Sequence, residues 1–170
     1  MPLILPLNGS APVVPDSAWV APNATLVGSI TLGERASVFY GAVLRGDMDV
    51  ISIGDDTNLQ DNVTVHVDHG APARIGARVS VGHAAILHGC TVEDDCLIGM
   101  GATVLNRAVI GTGSLVAAGA VVLEGTVIPP RSLVAGVPAK VRREISDEEY
   151  LKIQRNATVY LEISADHKAI

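Results

Sequence analysis

The chain has 170 residues, 48% of them hydrophobic but only 3% aromatic, so it has the apolar content for one packed domain whose core is built from Val, Ile, Leu and Ala. Twelve Lys and Arg against 18 Asp and Glu give a formal charge of -6 with no basic block, which argues against a nucleic-acid partner. No apolar stretch approaches the roughly 20 residues needed to cross a bilayer, so no membrane association is expected.

The opening segment MPLILPLNGSAPVVP lacks a basic start and is broken by Pro2, Pro6 and Pro12, which argues against a secretory signal and makes the cytoplasm the expected location. Cys90 and Cys96 are too few and too close for a disulfide framework.

From Val20 onward a step of six residues meets an aliphatic side chain each time: Leu26, Leu32, Val38, Leu44 and Val50. The phase then slips by three to Ile53, Leu59 and Val65. The longer interval VDHGAPAR, from Val67 to Arg74, leads to Ile75, Val81 and Leu87. After one step of five, the series runs from Val92 through Ile98, Val104, Ile110, Val116, Val122 and Ile128 to Val134. The residue two before an anchor is mostly small, as at Ala24, Ala42, Cys90, Cys96, Ala102 and Ser114, and glycine recurs just after anchors, as at Gly54, Gly76 and Gly99. A period of six fits neither the alternation of a single strand nor the 3.6-residue helix. It fits an all-β solenoid, a parallel β-helix of triangular section in which three six-residue faces make an 18-residue coil, with small residues or flexible backbone at the corners. Roughly six coils at about 4.8 Å each give a prism about 30 Å tall.

Beyond the prism, Val134 to Lys140 reads as an exit turn, and Ser146 with Glu149 forms a capping box for a helix starting near Asp147. Tyr150, Ile153, Ala157, Tyr160 or Leu161, and Ile163 or Ser164 mark one face of that helix, which is expected to pack along the outside of the prism. The expected organisation is therefore a β-helix domain over residues 1–140, with a short lead-in, and a connecting segment plus helix over residues 141–170.

Three of the five histidines fall at related positions. His66 follows anchor Val65 and His88 follows anchor Leu87, three hexads and four inserted residues later, so both project outward from one edge on successive coils. His83 lies two places after its own anchor, on the preceding face, and cannot easily turn toward that pair within one chain. Packing around a threefold axis brings His83 of one subunit against the pair of another, giving three imidazoles and an open position, as in catalytic zinc sites. Chance surface histidines, or hydrogen bonds at a subunit contact, are the alternative reading. Arg45, Asp47, Gln60 and Asp61 lie on the two stretches just before His66 and supply groups able to orient imidazoles and a bound water.

The segments GAVLRGDMDVISIGDDTNLQDNVTVH, from Gly41 to His66, and IGARVSVGHAAILHGCTVEDDCLIGMGATV, from Ile75 to Val104, closely resemble the gamma class of carbonic anhydrases and their bacterial relatives in the hexapeptide-repeat superfamily. The resemblance extends over essentially the whole chain. It implies a left-handed β-helix with the C-terminal α-helix packed along it, although the general rule for parallel crossovers favours the right hand. It further implies a homotrimer with metal sites at the subunit interfaces, ligated by His66 and His88 of one subunit and His83 of the next. By the same resemblance Arg45 and Asp61 form an interface ion pair with Asp47 beside it, Gln60 orients metal-bound water, and Tyr160 reaches the pocket from the helix. The implied cofactor is Zn²⁺, with Fe²⁺ or Co²⁺ also compatible with such ligands. The implied reaction on a small-molecule substrate is attack of metal-activated water on carbon dioxide to give bicarbonate.

The chain departs from the best-studied type of this family. Met48 stands where that type carries a glutamate, VDHGAPAR replaces an acidic loop, and Glu162 replaces an asparagine. Both missing acids are associated with proton transfer, and His69 is read either as their substitute or as a solvated loop histidine. Three other readings stay open: a metal-dependent hydrolase of acyl-coenzyme A thioesters, a hexapeptide acyltransferase, and a noncatalytic trimeric assembly component stabilised by metal.

Overall fold

A computed structural model describes residues 1–170. Short parallel strands stack on three faces of a left-handed β-helix. The strands Thr25–Leu32 and Val43–Ile53 are long enough to turn a corner and serve two faces. Their first halves continue into Thr64–His66, Ile86–His88, Thr103–Val104 and Val121–Val122. Their second halves continue into Ala73–Ile75, Thr91–Val92, Val109–Ile110 and Val127–Ile128. The third face runs from Trp19–Val20 through Ser37–Val38, Asn58–Leu59, Ser80–Val81, Leu97–Ile98 and Leu115–Val116 to Ser132–Gly136.

The anchors Leu26, Leu44, Leu59, Val65, Leu87, Ile98 and Ile110 are fully buried, and the small residues Ala24, Ala42, Ala85, Ala102 and Ala108 fill the space beside them. This is why so few aromatics are needed: each layer is a triangle of aliphatic side chains closed by methyl-sized ones. One anchor is misplaced by the six-residue step. Val50 is 42% exposed while Ile51 and Ile53 are buried. The slip falls within the long strand, where the pairing jumps from Gly28↔Gly46 to Ile30↔Ile51 and throws residues 47–50 outward as a bulge.

The glycines that follow anchors do not supply flexibility. A Cβ at Gly54 would meet the backbone of Gly76 at 2.5 Å, so glycine there lets successive coils stack. The left-handed backbone falls instead at a separate six-residue series, Gly101, Arg107, Gly113, Gly119, Gly125 and Arg131, which turns the corners.

At the lower end the chain does not leave by a simple turn. Ser132–Gly136 folds back in an antiparallel pair with Ala139–Glu144. The exposed charges of Lys140, Arg142, Arg143 and Glu144 hide this strand in the sequence and blunt the edge it presents. The helix Asp147–Lys168 begins at the capping box of Ser146 and Glu149 and buries Ile153, Ala157 and Ser164 against the third face. Arg143, with Ser146 adding a backbone donor, holds the Glu149 carboxyl down to about 2. The helix is also tied down by Asp95, which accepts from Arg78 Nε at 2.7 Å and from the Tyr150 hydroxyl at 3.4 Å. No helix is long and apolar enough to cross a membrane.

Candidate metal centre

His66 and His88 end their strands one residue beyond the buried Val65 and Leu87, and strand alternation therefore turns them outward. The parallel register pairs His88 with His66 and His66 with Arg45, so the three form a column along one corner. His66 Nδ1 stands 2.8 Å from His88 Nε2.

The other nitrogen of each ring is held by an acceptor. His88 Nδ1 lies 2.7 Å from Asn106 Oδ1, and the Asn106 amide is oriented by donating from Nδ2 to Asp68 Oδ2, also at 2.7 Å. His66 Nε2 lies 2.9 Å from Asp47 Oδ1, and Asp47 accepts from Arg45 as well. Burial opposes ionisation of Asp47, but the hydrogen bonds from His66 and Arg45 outweigh it and hold its carboxyl below the usual range. With those anchoring nitrogens protonated, the facing lone pairs of His66 Nδ1 and His88 Nε2 point at each other. Two lone pairs at this distance repel unless a proton or a metal ion lies between them. A carboxylate oxygen of Asp68 completes the group, so His66, His88 and Asp68 converge within 4.8 Å as a donor set able to hold a divalent ion.

Asp68 and Asn106 are absent from the residues the sequence singles out. Asp68 comes from the VDHGAPAR insertion, whose Asp68↔Ala71 turn folds it beside the histidines, while His69 of the same turn is exposed. Asn106 had a usable signal, since it lies 18 residues, one coil, after His88. Gly89 protects it: a Cβ there would meet Asn106 Oδ1 at 2.3 Å, on a backbone already left-handed at φ +54.

His83 lies outside this cluster, beyond the strand Ser80–Val81. Its Nδ1 is 2.8 Å from Asp61 Oδ2, and the ring is half-exposed. Within one chain, then, Arg45 pairs with Asp47 and Asp61 pairs with His83. Gln60 is buried and donates from Nε2 to Asn58 Oδ1 at 3.1 Å, and Asn58 in turn donates to Ser80 Oγ at 3.0 Å. Gln60, His83 and Tyr160 line one cavity between the third face and the helix. Burial, with the charge of Asp61 adding to it, pushes the Tyr160 phenol up.

Residues 89–124 match the family model described as bacterial transferase hexapeptide (six repeats). The chain is 42% identical over 168 residues to a carbonic anhydrase of Geobacillus kaustophilus, covering 99% of this chain and 92% of that protein. It is 44% identical over 165 residues to the mitochondrial gamma carbonic anhydrase 1 of Arabidopsis thaliana, covering 94% of this chain but 60% of that protein. The chain thus spans about three fifths of the length of this plant relative. The crystal structure of a hexapeptide transferase family protein from Anaplasma phagocytophilum superposes with a TM-score of 0.93 at 40% identity, covering 96% of this chain and 97% of that one. Together with the paired outward histidines, these similarities place the chain in the gamma-class carbonic-anhydrase-like family of the hexapeptide-repeat, left-handed β-helix superfamily.

Proposed function

We propose that the chain acts as a homotrimeric, zinc-dependent hydratase that converts carbon dioxide to bicarbonate, with His66 and His88 of one subunit and His83 of the partner subunit holding the ion. One observation carries this reading. His66 and His88 each have one ring nitrogen anchored by an acceptor, Asp47 or Asn106, and His83 has the Asp61 carboxylate 2.8 Å from its Nδ1, so each ring has its other nitrogen left for an ion. Metal-ligating histidines are oriented in this way, whereas three chance surface histidines have no reason to be.

A divalent ion held there supplies a water nucleophile at neutral pH by lowering its pKa to about 7. The protein's own groups do the rest. Asp68, Asn106 and Asp61 fix ring orientation, and Arg45 holds Asp47 ionised against His66. Gln60, with its amide set by Asn58, is the neutral hydrogen-bonding group that positions the reacting water and substrate, and Tyr160 closes the pocket from the helix. Zn²⁺ is the proposed ion, and the nitrogen and oxygen donors also accommodate Fe²⁺ or Co²⁺. A reducing compartment such as the cytoplasm fits Cys90 and Cys96, both free and buried, with thiols pushed up to about 12 by burial.

Stopped-flow measurement of CO₂ hydration on protein reconstituted separately with each ion tests the proposal. Saturable hydration that is lost in His88→Ala supports it. A metal-replete trimer that hydrates CO₂ no faster than buffer overturns it.

A further inference from the structure

Water and carbon dioxide give bicarbonate and one proton, so a hydratase must pass a proton from its centre to solvent in every turnover. Imidazole is the ordinary side chain that takes and gives a proton near neutral pH. Two histidines lie outside the proposed ligand set. His69 stands exposed in the turn of the insertion, whereas His167, in the last turn of the C-terminal helix, is half-buried and lines a cavity of about 310 Å³ together with His83. Phe39 and Ile163 are the apolar walls of this cavity, and the ionisable groups facing it are Tyr40, Asp61, His83, Tyr160 and His167 itself. Tyr40, Asp61 and His83 each lie two residues past the buried anchors Val38, Leu59 and Val81, which pair in register on the third face. The three therefore form a column on successive coils, covering roughly 10 Å in two steps of about 4.8 Å. At one end Asp61 Oδ2 is 2.8 Å from His83 Nδ1, and at the other the Tyr40 hydroxyl is 2.8 Å from His167 Nδ1. The imidazole of His167 is held in place by the rings of Trp19, Phe39 and Tyr40, and its neighbour Lys168 ties the helix end to the carbonyls of Asp16 and Ala18. Asp166 flanks it on the other side in the chain. The space between the ends of the column has room for several waters, each of which takes about 30 Å³ in the liquid.

We infer that His167 relays the proton released in hydration from the centre to solvent, on the subunit that supplies His83. The neutral ring donates Nδ1–H to the Tyr40 hydroxyl oxygen. Its Nε2 takes the proton that the reacting water gives up, passed through cavity water along the column, and the ring becomes an imidazolium. A buffer base then removes that proton and returns the ring to its neutral form. The inference rests on the hydratase reading and adds to it a residue from the far end of the helix.

The test compares the zinc-loaded full chain with its His167→Phe variant, in which a ring still packs against Trp19, Phe39 and Tyr40. In stopped-flow hydration at low buffer concentration, kcat should fall about 100-fold, the low end for a positioned proton-transfer group, while kcat/KM stays at the parent value. Free imidazole added in increasing amounts should restore kcat. A second readout needs no turnover: the ring ¹⁵N resonances of His167 should report the Nδ1–H tautomer in the neutral form, and Tyr40→Phe should shift it toward Nε2–H. The relay is overturned by a kcat that stays at the parent level, by an equal fall in kcat and kcat/KM, by a deficit that imidazole does not repair, or by a neutral ring found as Nε2–H or unmoved by Tyr40→Phe. A parent chain that turns over no CO₂ overturns the hydratase reading and the relay together, so the parent's own turnover tells the two failures apart.

Discussion

Asn106 lies one turn of the solenoid beyond His88 and holds its Nδ1 at 2.7 Å, while Asp68 holds Asn106 at the same distance. A loop residue thus fixes an amide, the amide fixes a ring tautomer, and the ring offers its remaining lone pair to the neighbouring His66. Asn106→Leu should keep the fold, because the side chain sits on the outer corner and not in the aliphatic core, yet weaken metal binding about 10- to 100-fold. Competition against a chelator, with circular dichroism as the control for folding, measures this. Unchanged affinity would remove Asn106 from the centre.

The facing nitrogens of His66 and His88 make a second expectation. Only deprotonated ring nitrogens ligate, so a bound ion competes with protons for this pair. Metal uptake should therefore release protons, more of them per ion as the pH is lowered, and affinity should fall in the same direction. Calorimetry in buffers of different ionisation enthalpy counts the protons. No release at any pH would mean that the ion binds elsewhere.

Asp95 governs the seat of the helix. Its carboxyl is held below the usual aspartate range by the hydrogen bonds from Arg78, which prevail over the opposing effect of burial. A depressed native pKa means that this contribution to stability is complete above the unfolded value of about 3.9 and disappears as the pH falls through the lower native value. Arg78 is 45% exposed, so solvent screening limits the effect. Asp95→Asn should cost about 1–2 kcal/mol at neutral pH and progressively less in acid. Urea titrations at neutral and acidic pH check it, and an equal loss at both would contradict the assignment.

Gln60 separates a reactive centre from a structural one. Gln60→Ala should retain the proposed trimer and most of its metal while lowering hydration roughly 10- to 100-fold, the effect of losing one orienting contact worth about 2 kcal/mol. Turnover is best measured with CO₂ below saturation. Undiminished turnover in a metal-replete variant would exclude this role.

The solenoid was legible because its physical cause is periodic: every sixth side chain must fill the same triangular layer. The error at Val50 shows the limit, since a bulge exchanges inward for outward residues without changing composition. The outward stacking of His66 and His88 also followed from the period, as both sit one residue past an anchor. Asp68 did not, because a turn inside an insertion has no period to place it. The antiparallel strand Ala139–Glu144 was hidden for a related reason, being a charged edge held by backbone pairing and not by buried side chains.

On the proposed reading a complete three-histidine centre needs two chains, since His83 lies outside the cluster formed by His66, His88 and Asp68. Mixed trimers of His83→Ala and His88→Ala subunits test it most directly. Some of their interfaces join an intact His83 to an intact His66 and His88 edge, while others lack both. Metal content per trimer, measured on verified heterotrimers, should recover to a level that neither parent variant reaches. If each chain binds metal with its own His66, His88 and Asp68, the His83→Ala parent already holds metal and no mixture exceeds it, and that result, or heterotrimers as empty of metal as both parents, would contradict the account.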